Sequence, residues 1–212
     1  SHIEGASMYI PEHFHEQDEA AIAAVMANHP LASVVYQTPE LNVSYLPLLR
    51  RGDRLIGHLA KANDMHRELA DGADVLAIFH GADAYVSPNW YPSKAEHHKH
   101  VPTWNYQVVH VHGKIRFYHD EASKRRLVHA LTSEFETRTN GAEAWKMGDA
   151  PQDFMRDRLA DIVGLEIEIT RVESKSKLSQ NRDEGDHANV MREMEARSHD
   201  ELAVAMARHR DG

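Results

Sequence analysis

The sequence predicts an α+β fold, an antiparallel sheet or barrel with peripheral helices. Three observations carry that expectation. Residues 32–37, 41–46, 54–60 and 74–80 are β-rich runs within fewer than fifty positions, each bounded by Pro, Gly, Asp or Asn. Short strands so closely spaced favour antiparallel pairing, and the helical patterns are inserted late instead of alternating with strands. From Leu165 the period switches to two: Leu165, Ile167 and Ile169 alternate with Glu166, Glu168 and Thr170, so one face is buried and the other wet.

Taken in order, residues 17–29 read as a helix with Ile22, Val25 and Met26 on one stripe, ended by His29-Pro30. Residues 65–70 supply a short helix between the third and fourth strands. Residues 106–112 and 114–118 flank Gly113, the pattern of a hairpin whose glycine takes a positive φ. Asp120 caps a helix reaching about residue 136, with Ala122, Leu127, Leu131 and Phe135 at helical spacing. A second helix over 152–163 is expected to close at Gly164. Beyond Asn181 the chain is charged. There Ser198 and Glu201 form a capping-box pattern ahead of Leu202, Val204 and Met206, so a C-terminal helical arm is expected over 183–212.

A chain of 212 residues with 42% hydrophobic and 27% charged residues suits one soluble domain carrying appended helices. No apolar run approaches the roughly 18 residues a membrane span needs. Ser1 to Ser7 read as an expression-tag remnant ahead of a native start at Met8, and no secretory signal follows, so the cytoplasm is the expected compartment. The absence of cysteine excludes disulfides, thiolate catalysis and cysteine-ligated metals. A net charge of −9 gives no general attraction to nucleic acid, and DNA binding would need a local basic patch, for which Lys124-Arg125-Arg126 is the candidate. Three cations on one helical turn more commonly form a solvated face. The paired carboxylates Asp18-Glu19 and Glu166 with Glu168 are also expected on exposed faces.

Five segments, in order, carry a resemblance. They are Met8-Tyr9-Ile10-Pro11-Glu12-His13-Phe14; Gly57-His58-Leu59-Ala60-Lys61-Ala62-Asn63; Ala84-Tyr85-Val86-Ser87-Pro88-Asn89-Trp90-Tyr91-Pro92-Ser93-Lys94; Val101-Pro102-Thr103-Trp104-Asn105-Tyr106; and Lys177-Leu178-Ser179-Gln180-Asn181-Arg182. Together they resemble the PaiB-like family of FMN-binding negative transcriptional regulators. The family more often has Arg where this chain has Lys61, and the tail from Asp183 departs from it. The resemblance implies an FMN-binding split β-barrel over 8–182, Greek-key-like, forming a homodimer with FMN in the groove between subunits. It relates the chain to pyridoxamine-phosphate oxidases and flavin reductases.

In that wider group a strand-loop like residues 86–94 wraps the flavin's phosphate, which implies roles for Ser87, Ser93 and Lys94. The chemistry is apt, since a dianionic phosphate favours a cation and short hydroxyl donors. Lys61 could add a second charge, with His58 and Asn63 as donors nearby. A flavin ring also needs flat apolar faces and hydrogen bonds along its pyrimidine edge. Trp90, Tyr91, Trp104 and Tyr106 offer faces; Asn105, Gln107, Ser179 and Gln180 offer donors and acceptors. Residues 177–180 resemble the late motif that closes the flavin site in the oxidases.

Plainer readings stand beside these. Either tryptophan can be a core anchor, an isolated lysine is usually a surface cation, and Ser179 and Gln180 can cap a strand end. It is their combination that favours a cofactor. Among 17 histidines, His110 and His112 share a strand face and His97, His98 and His100 share a loop, without a third ligand at a recognisable metal spacing. Haem ligation by His58 or a loop histidine is a minority alternative, because related split barrels can hold haem. No G-x-S-x-G, P-loop or G-x-G-x-x-G motif supports a hydrolase, NTPase or Rossmann enzyme. The competing class is an FMN-dependent oxidoreductase, of flavin reductase or oxidase type.

Overall fold

The computed structural model describes residues 1–211, with side chains as far as His209. In chain order the elements are α1 (Glu19–Asn28), β1 (Leu31–Thr38), β2 (Glu40–Pro47), β3 (Leu49–Arg51), β4 (Arg54–Ala60), α2 (Met65–Glu68), β5 (Ala73–Val86), α3 (Lys94–His97), β6 (Thr103–Tyr118), α4 (Glu121–Asn140), α5 (Gln152–Ala160), β7 (Ile162–Lys177), α6 (Glu184–Ala196) and α7 (Asp200–Asp211). The strands form one sheet in the order β2-β1-β5-β6-β7-β4-β3, and β1–β2, β1–β5, β3–β4 and β4–β7 pair antiparallel. Among the described residues no helix is long and apolar enough to cross a membrane. The chain divides into two compact units, one of residues 30–79 and 111–172, the other of residues 1–29, 80–110 and 173 onward.

In the first of these units, β1 and β2 pair from Leu31↔Pro47 to Thr38↔Glu40, so the turn closes at Pro39. The inward positions of the strands, among them Val34, Leu55, Ala77, Phe79, Ile115, Leu165 and Ile167, are buried. Helix α4, capped by the Asp120 carboxylate on the Ser123 N–H at 2.9 Å, lays Leu127 and Leu131 against Leu49 and Ile56. Its close approach uses Gly164, where a Cβ would stand 2.6 Å from Leu127 Cδ1. This corrects the expected helix end: α5 stops at Ala160, and Gly164 lies inside β7, admitting the helix side chain.

Gly113 brings a second correction. No hairpin forms there; β6 runs unbroken through 16 residues. A Cβ at Gly113 would lie 2.4 Å from the Glu168 carbonyl oxygen and 2.5 Å from Ile167 Cγ2, so glycine serves close backbone approach and not a positive φ.

Glu166, expected in solvent, is instead buried, with Tyr118 donating its hydroxyl at 2.9 Å and Arg54 and Arg126 at 3.3 and 3.4 Å. Burial is tolerable because the charge is paired and hydrogen-bonded. The Lys124–Arg126 run is also committed internally. Lys124 is buried and donates to the Leu159 carbonyl at 3.1 Å, Arg125 pairs with Glu121 at 3.0 Å, and Arg126 also lies over the Tyr118 ring.

In the other unit, α6 and α7 pack Val190, Met194, Leu202, Ala203, Ala205 and Met206 against Val86, Tyr91 and Leu178. The region beyond residue 183 thus supplies much of a core. Asp183 caps α6 by accepting from the Asp186 N–H at 2.8 Å. Ser198 is not a helix cap; it sits at φ 63° in the turn between the helices, and Glu201 accepts from His29 Nε2 at 2.9 Å.

Gly113→Ala is expected to lower stability by about 2 kcal/mol or more, since overpacking a closed site typically costs about 1–3 kcal/mol. Urea denaturation measures it, and a change below about 0.5 kcal/mol would show that β6 and β7 can separate there without penalty.

Candidate functional site

Along β6, neighbouring side chains point to opposite faces of the sheet, and this sorts the candidate residues of that strand. Asn105 and Gln107 are buried, whereas Trp104 is 53% exposed and Tyr106 half-buried. Asn105 accepts from the Ser179 hydroxyl at 3.1 Å and donates towards Met206 Sδ of α7 at 3.8 Å. Gln107 donates to the Ser176 hydroxyl at 3.0 Å, and that hydroxyl donates to Glu16 at 2.8 Å. Glu16 also accepts from His209 Nε2 at 2.5 Å, while His209 Nδ1 bonds the Ala205 carbonyl at 2.7 Å. An acceptor at each ring nitrogen favours the doubly protonated, cationic form of His209.

On the opposite face, Trp104 and Tyr106 join Tyr9, Pro11, His13, Phe14, Thr103, Lys175 and Lys177 in a groove of about 470 Å³, which Ser1 also lines. Lys175 Nζ lies 5.2 Å from the ring centroids of both Tyr9 and Tyr106, and Lys177 Nζ 5.6 Å from that of Phe14. Lys177 donates to the Thr103 hydroxyl at 2.6 Å and the Trp104 carbonyl at 2.8 Å. Burial, then the charges of Lys175 and Arg182, holds the Lys177 ammonium below its ordinary pKa of 10.5. Among the described residues, neither lysine has a carboxylate within 4.0 Å. Tyr85 meets Trp104 edge-on at 5.9 Å.

The loop after β5 bonds its polar groups to one another and to α6. Ser87 accepts from the Asn89 N–H at 3.1 Å, and Lys94 donates to Asn89 Oδ1 at 2.5 Å. Ser93 donates its N–H at 3.0 Å and its hydroxyl at 2.5 Å to the buried Asp186 carboxylate, and its oxygen meets His100 Nε2 at 2.8 Å. Tyr91 is buried beneath Arg182, whose guanidinium carbon is 4.7 Å from the ring centroid. Trp90 lies under Arg197 at 4.9 Å, its carbonyl accepting from Asn189 at 2.6 Å. Ser179 adopts φ 65°, and Gln180 folds back, accepting from the Leu178 N–H at 2.7 Å and donating to the Ser176 carbonyl at 2.5 Å.

His58, Lys61 and Asn63 belong to the other unit. His58 is largely buried, and its Nδ1 has no hydrogen-bond partner. Burial depresses its pKa below 6.5, favouring the neutral ring. Lys61 is exposed, and Asn63 bonds the Met65 N–H at 3.0 Å and the Ser44 hydroxyl at 3.3 Å.

The structure therefore gathers Trp104 and Tyr106 with two lysines, and separates them from Asn105, Gln107, Ser179 and Gln180. Tyr9, Phe14, Lys175 and Lys177 were not among the candidates chosen from sequence. The available signal was the alternation of Lys175 and Lys177 on the last strand, beside the quoted first and last motifs. As a donor set, aromatic faces next to two ammonium groups without carboxylates suit a planar, anionic guest.

Comparison with known proteins agrees with this chemistry. The family described as "Putative FMN-binding domain" matches residues 8–171. "Protease synthase and sporulation protein PAI 2" of Bacillus subtilis (strain 168) is 30% identical over 193 residues, 89% of each chain. An uncharacterized protein of Emericella nidulans is 31% identical over 161 residues, covering 65% of this chain and 64% of its own. Among solved structures, the flavocytochrome Anf3 from Azotobacter vinelandii has TM-score 0.60 at 16% identity, over 89% of this chain and 82% of its own. The FAD and heme binding protein from Mycobacterium smegmatis has TM-score 0.56 at 20% identity, over 77% and 73%. These two likenesses are of fold.

The Glu16–His209 pair makes stability depend on pH. The Glu16 hydrogen bond raises the His209 pKa above 6.5, against burial. Burial pushes the Glu16 carboxyl up, but hydrogen bonds from His209 and Ser176, with the His209 charge, bring it below 4.5. The stabilisation is therefore fullest between those two ordinary values. It fades as pH rises through the raised His209 pKa and as it falls through the lowered Glu16 pKa. Melting temperatures of the protein and its His209→Gln variant should differ most between the ordinary values of the two groups and draw together as pH rises through the raised His209 pKa; a constant difference from pH 5 to 9 would contradict the pairing.

Proposed function

The chain belongs to the family of FMN-binding domains, with FMN as its cofactor, and we propose that it is a homodimeric, PaiB-like negative transcriptional regulator on a split-barrel scaffold. The observation that carries the cofactor's placement is the groove, where the rings of Tyr9, Trp104 and Tyr106 stand beside Lys175 and Lys177. These residues would hold the flavin: the rings cover apolar faces, and the ammonium groups balance the phosphate. When bound, FMN supplies a reversible electron acceptor, which the protein orients and screens from water. Neutral His58, with an unpartnered Nδ1, fits a hydrogen bond to an uncharged polar edge of a ligand.

The loop residues Ser87, Ser93 and Lys94 fit a supporting role. Their present hydrogen bonds shape the segment. The regulator reading draws on the B. subtilis relative, which is similar over 89% of its length. The internal commitments of Lys124, Arg125 and Arg126 argue that any DNA contact uses other cations.

Dimerisation is supported by an apolar face on the edge strand. Leu41, Val43 and Tyr45 are 75%, 47% and 67% exposed. Val43 lies in register with Val35 and Leu76, an apolar row across three strands, and Tyr45 with Ser33 and Ile78 beside it. A long exposed edge with this character needs a partner.

Purified protein titrated with FMN should develop the flavin absorption bands and sediment as a dimer. A preparation that takes up no FMN, or shows a Soret band instead, overturns the cofactor reading. NADH or NADPH oxidation dependent on added FMN, with no salt-sensitive promoter gel shift, would place it among oxidoreductases instead. Val43→Glu combined with Tyr45→Glu should yield monomers in sedimentation; an unchanged dimer would move the interface elsewhere.

A further inference from the structure

Arg182, His100, Ser93 and Asp186 form a hydrogen-bonded chain in which the position of each proton follows from chemistry. Arg182 Nη1 stands 3.4 Å from His100 Nδ1, His100 Nε2 stands 2.8 Å from Ser93 Oγ, and Ser93 donates its hydroxyl to Asp186 Oδ2 at 2.5 Å. A guanidinium has donors only, so His100 Nδ1 is the acceptor and carries no proton. The Ser93 hydroxyl gives its one proton to Asp186, so its oxygen accepts from His100 Nε2–H. The imidazole that joins the two ends is therefore neutral, with its hydrogen on Nε2. The chain runs in one direction, from a cation at Arg182 to an anion at Asp186. It is also shielded from water, the side chains of His100 and Asp186 being 8% and 3% exposed.

This arrangement has no place for a second proton on the ring. That proton would sit on Nδ1 and face the Arg182 guanidinium, setting donor against donor and two positive charges 3.4 Å apart where little water screens them. On the other side, the Asp186 carboxylate lies 3.8 Å from Nε2, close enough to take an imidazolium as an ion pair. The other rings facing His100 are Tyr91 of the loop, 4.7 Å between centroids, and His97 of α3, at 4.9 Å. Burial raises the Tyr91 pKa above its ordinary 10, so that phenol stays neutral. We propose that His100 is a proton-operated switch for Arg182: the neutral ring holds the guanidinium over Tyr91, and the imidazolium releases it and pairs with Asp186. Asp186 stays in place, fixed on α6 and bonded by the Ser93 N–H at 3.0 Å as well as by its hydroxyl. Arg182 is the partner that moves, since it reaches the ring from the turn before α6, with its guanidinium carbon 4.7 Å from the Tyr91 centroid. Burial, then the charges of Lys175 and Arg182, lowers the Lys177 pKa, so the departure of Arg182 is felt in the groove. The switch links acidity to the charge of that groove whatever guest the groove holds.

Nitrogen NMR and amide hydrogen exchange on the full chain test this. At about pH 8 the His100 ring should be protonated on Nε2 and bare on Nδ1, and the opposite tautomer overturns the proposal. Exchange of residues 178–184, corrected for the chemical rate, should be about tenfold faster at about pH 5 than at about pH 8, as the loss of one hydrogen bond to a charged group requires. The Arg182 amide, bonded to the Ser179 carbonyl at 3.1 Å, lies in that segment. His100→Gln keeps a donor for Ser93 and an acceptor for Arg182 but takes up no proton, and Arg182→Gln removes the opposing charge, so each should abolish the pH response. His97→Gln should leave it intact. Residues 200–209, which include His209 and report its separate pairing with Glu16, should respond to pH alike in wild type and His100→Gln. A wild-type segment that opens equally at both pH values, a response kept in His100→Gln, or one lost in His97→Gln alone, overturns the proposal. If His100→Gln does not fold by circular dichroism, Arg182→Gln decides, an undiminished response there overturning it.

Discussion

The close passage of β6 over β7 at Gly113 is the constraint on which the rest of the arrangement depends. The Glu168 carbonyl occupies the space a side chain would need, so only glycine lets β6 continue as a 16-residue strand. An uninterrupted pleat sends successive residues to opposite faces. Trp104 and Tyr106 therefore reach the lysine groove, while Asn105 and Gln107 are held beneath α7. Four adjacent residues that look like one binding motif become two sets with different tasks: one face recognises, and the other fastens the C-terminal helix.

The two buried charge systems solve opposite problems. Glu166 is surrounded by Arg54, Arg126 and the Tyr118 hydroxyl, so its charge is compensated within the fold, and removing one partner would expose the cost of burying the others. Lys175 instead lies 5.2 Å from the ring centroids of both Tyr9 and Tyr106.

The C-terminal helices belong to the architecture of their unit. Met194, Leu202 and Met206 are fully buried against Val86, Tyr91 and Leu178, and α7 is tied at one end by Glu201 to His29 and near the other by His209 to Glu16. The Asp186 carboxylate on α6 organises the Ser93–His100 loop in the same unit. Residues that looked like an added arm thus shape the loop after β5 and cover two amides that would otherwise be open to a ligand.

Local pattern in the sequence determined the element types and the family. Helices α1 and α4, strand β4 and the alternation beginning at Leu165 follow from periodicity and capping, which act between near neighbours. The motifs around Tyr9, His58, Trp90, Trp104 and Ser179 brought the FMN-binding family into view, and its match to residues 8–171 bears that out. The tertiary structure alone decided that Gly113 and Gly164 admit neighbours instead of ending elements, that Glu166 is buried, and that Lys175 lies beside the rings of Tyr9 and Tyr106. Each of those outcomes depends on what packs alongside from distant positions, as with Ser179 and Asn105, 74 residues apart. Periodicity says which way a side chain points; only the assembled fold says what it meets there.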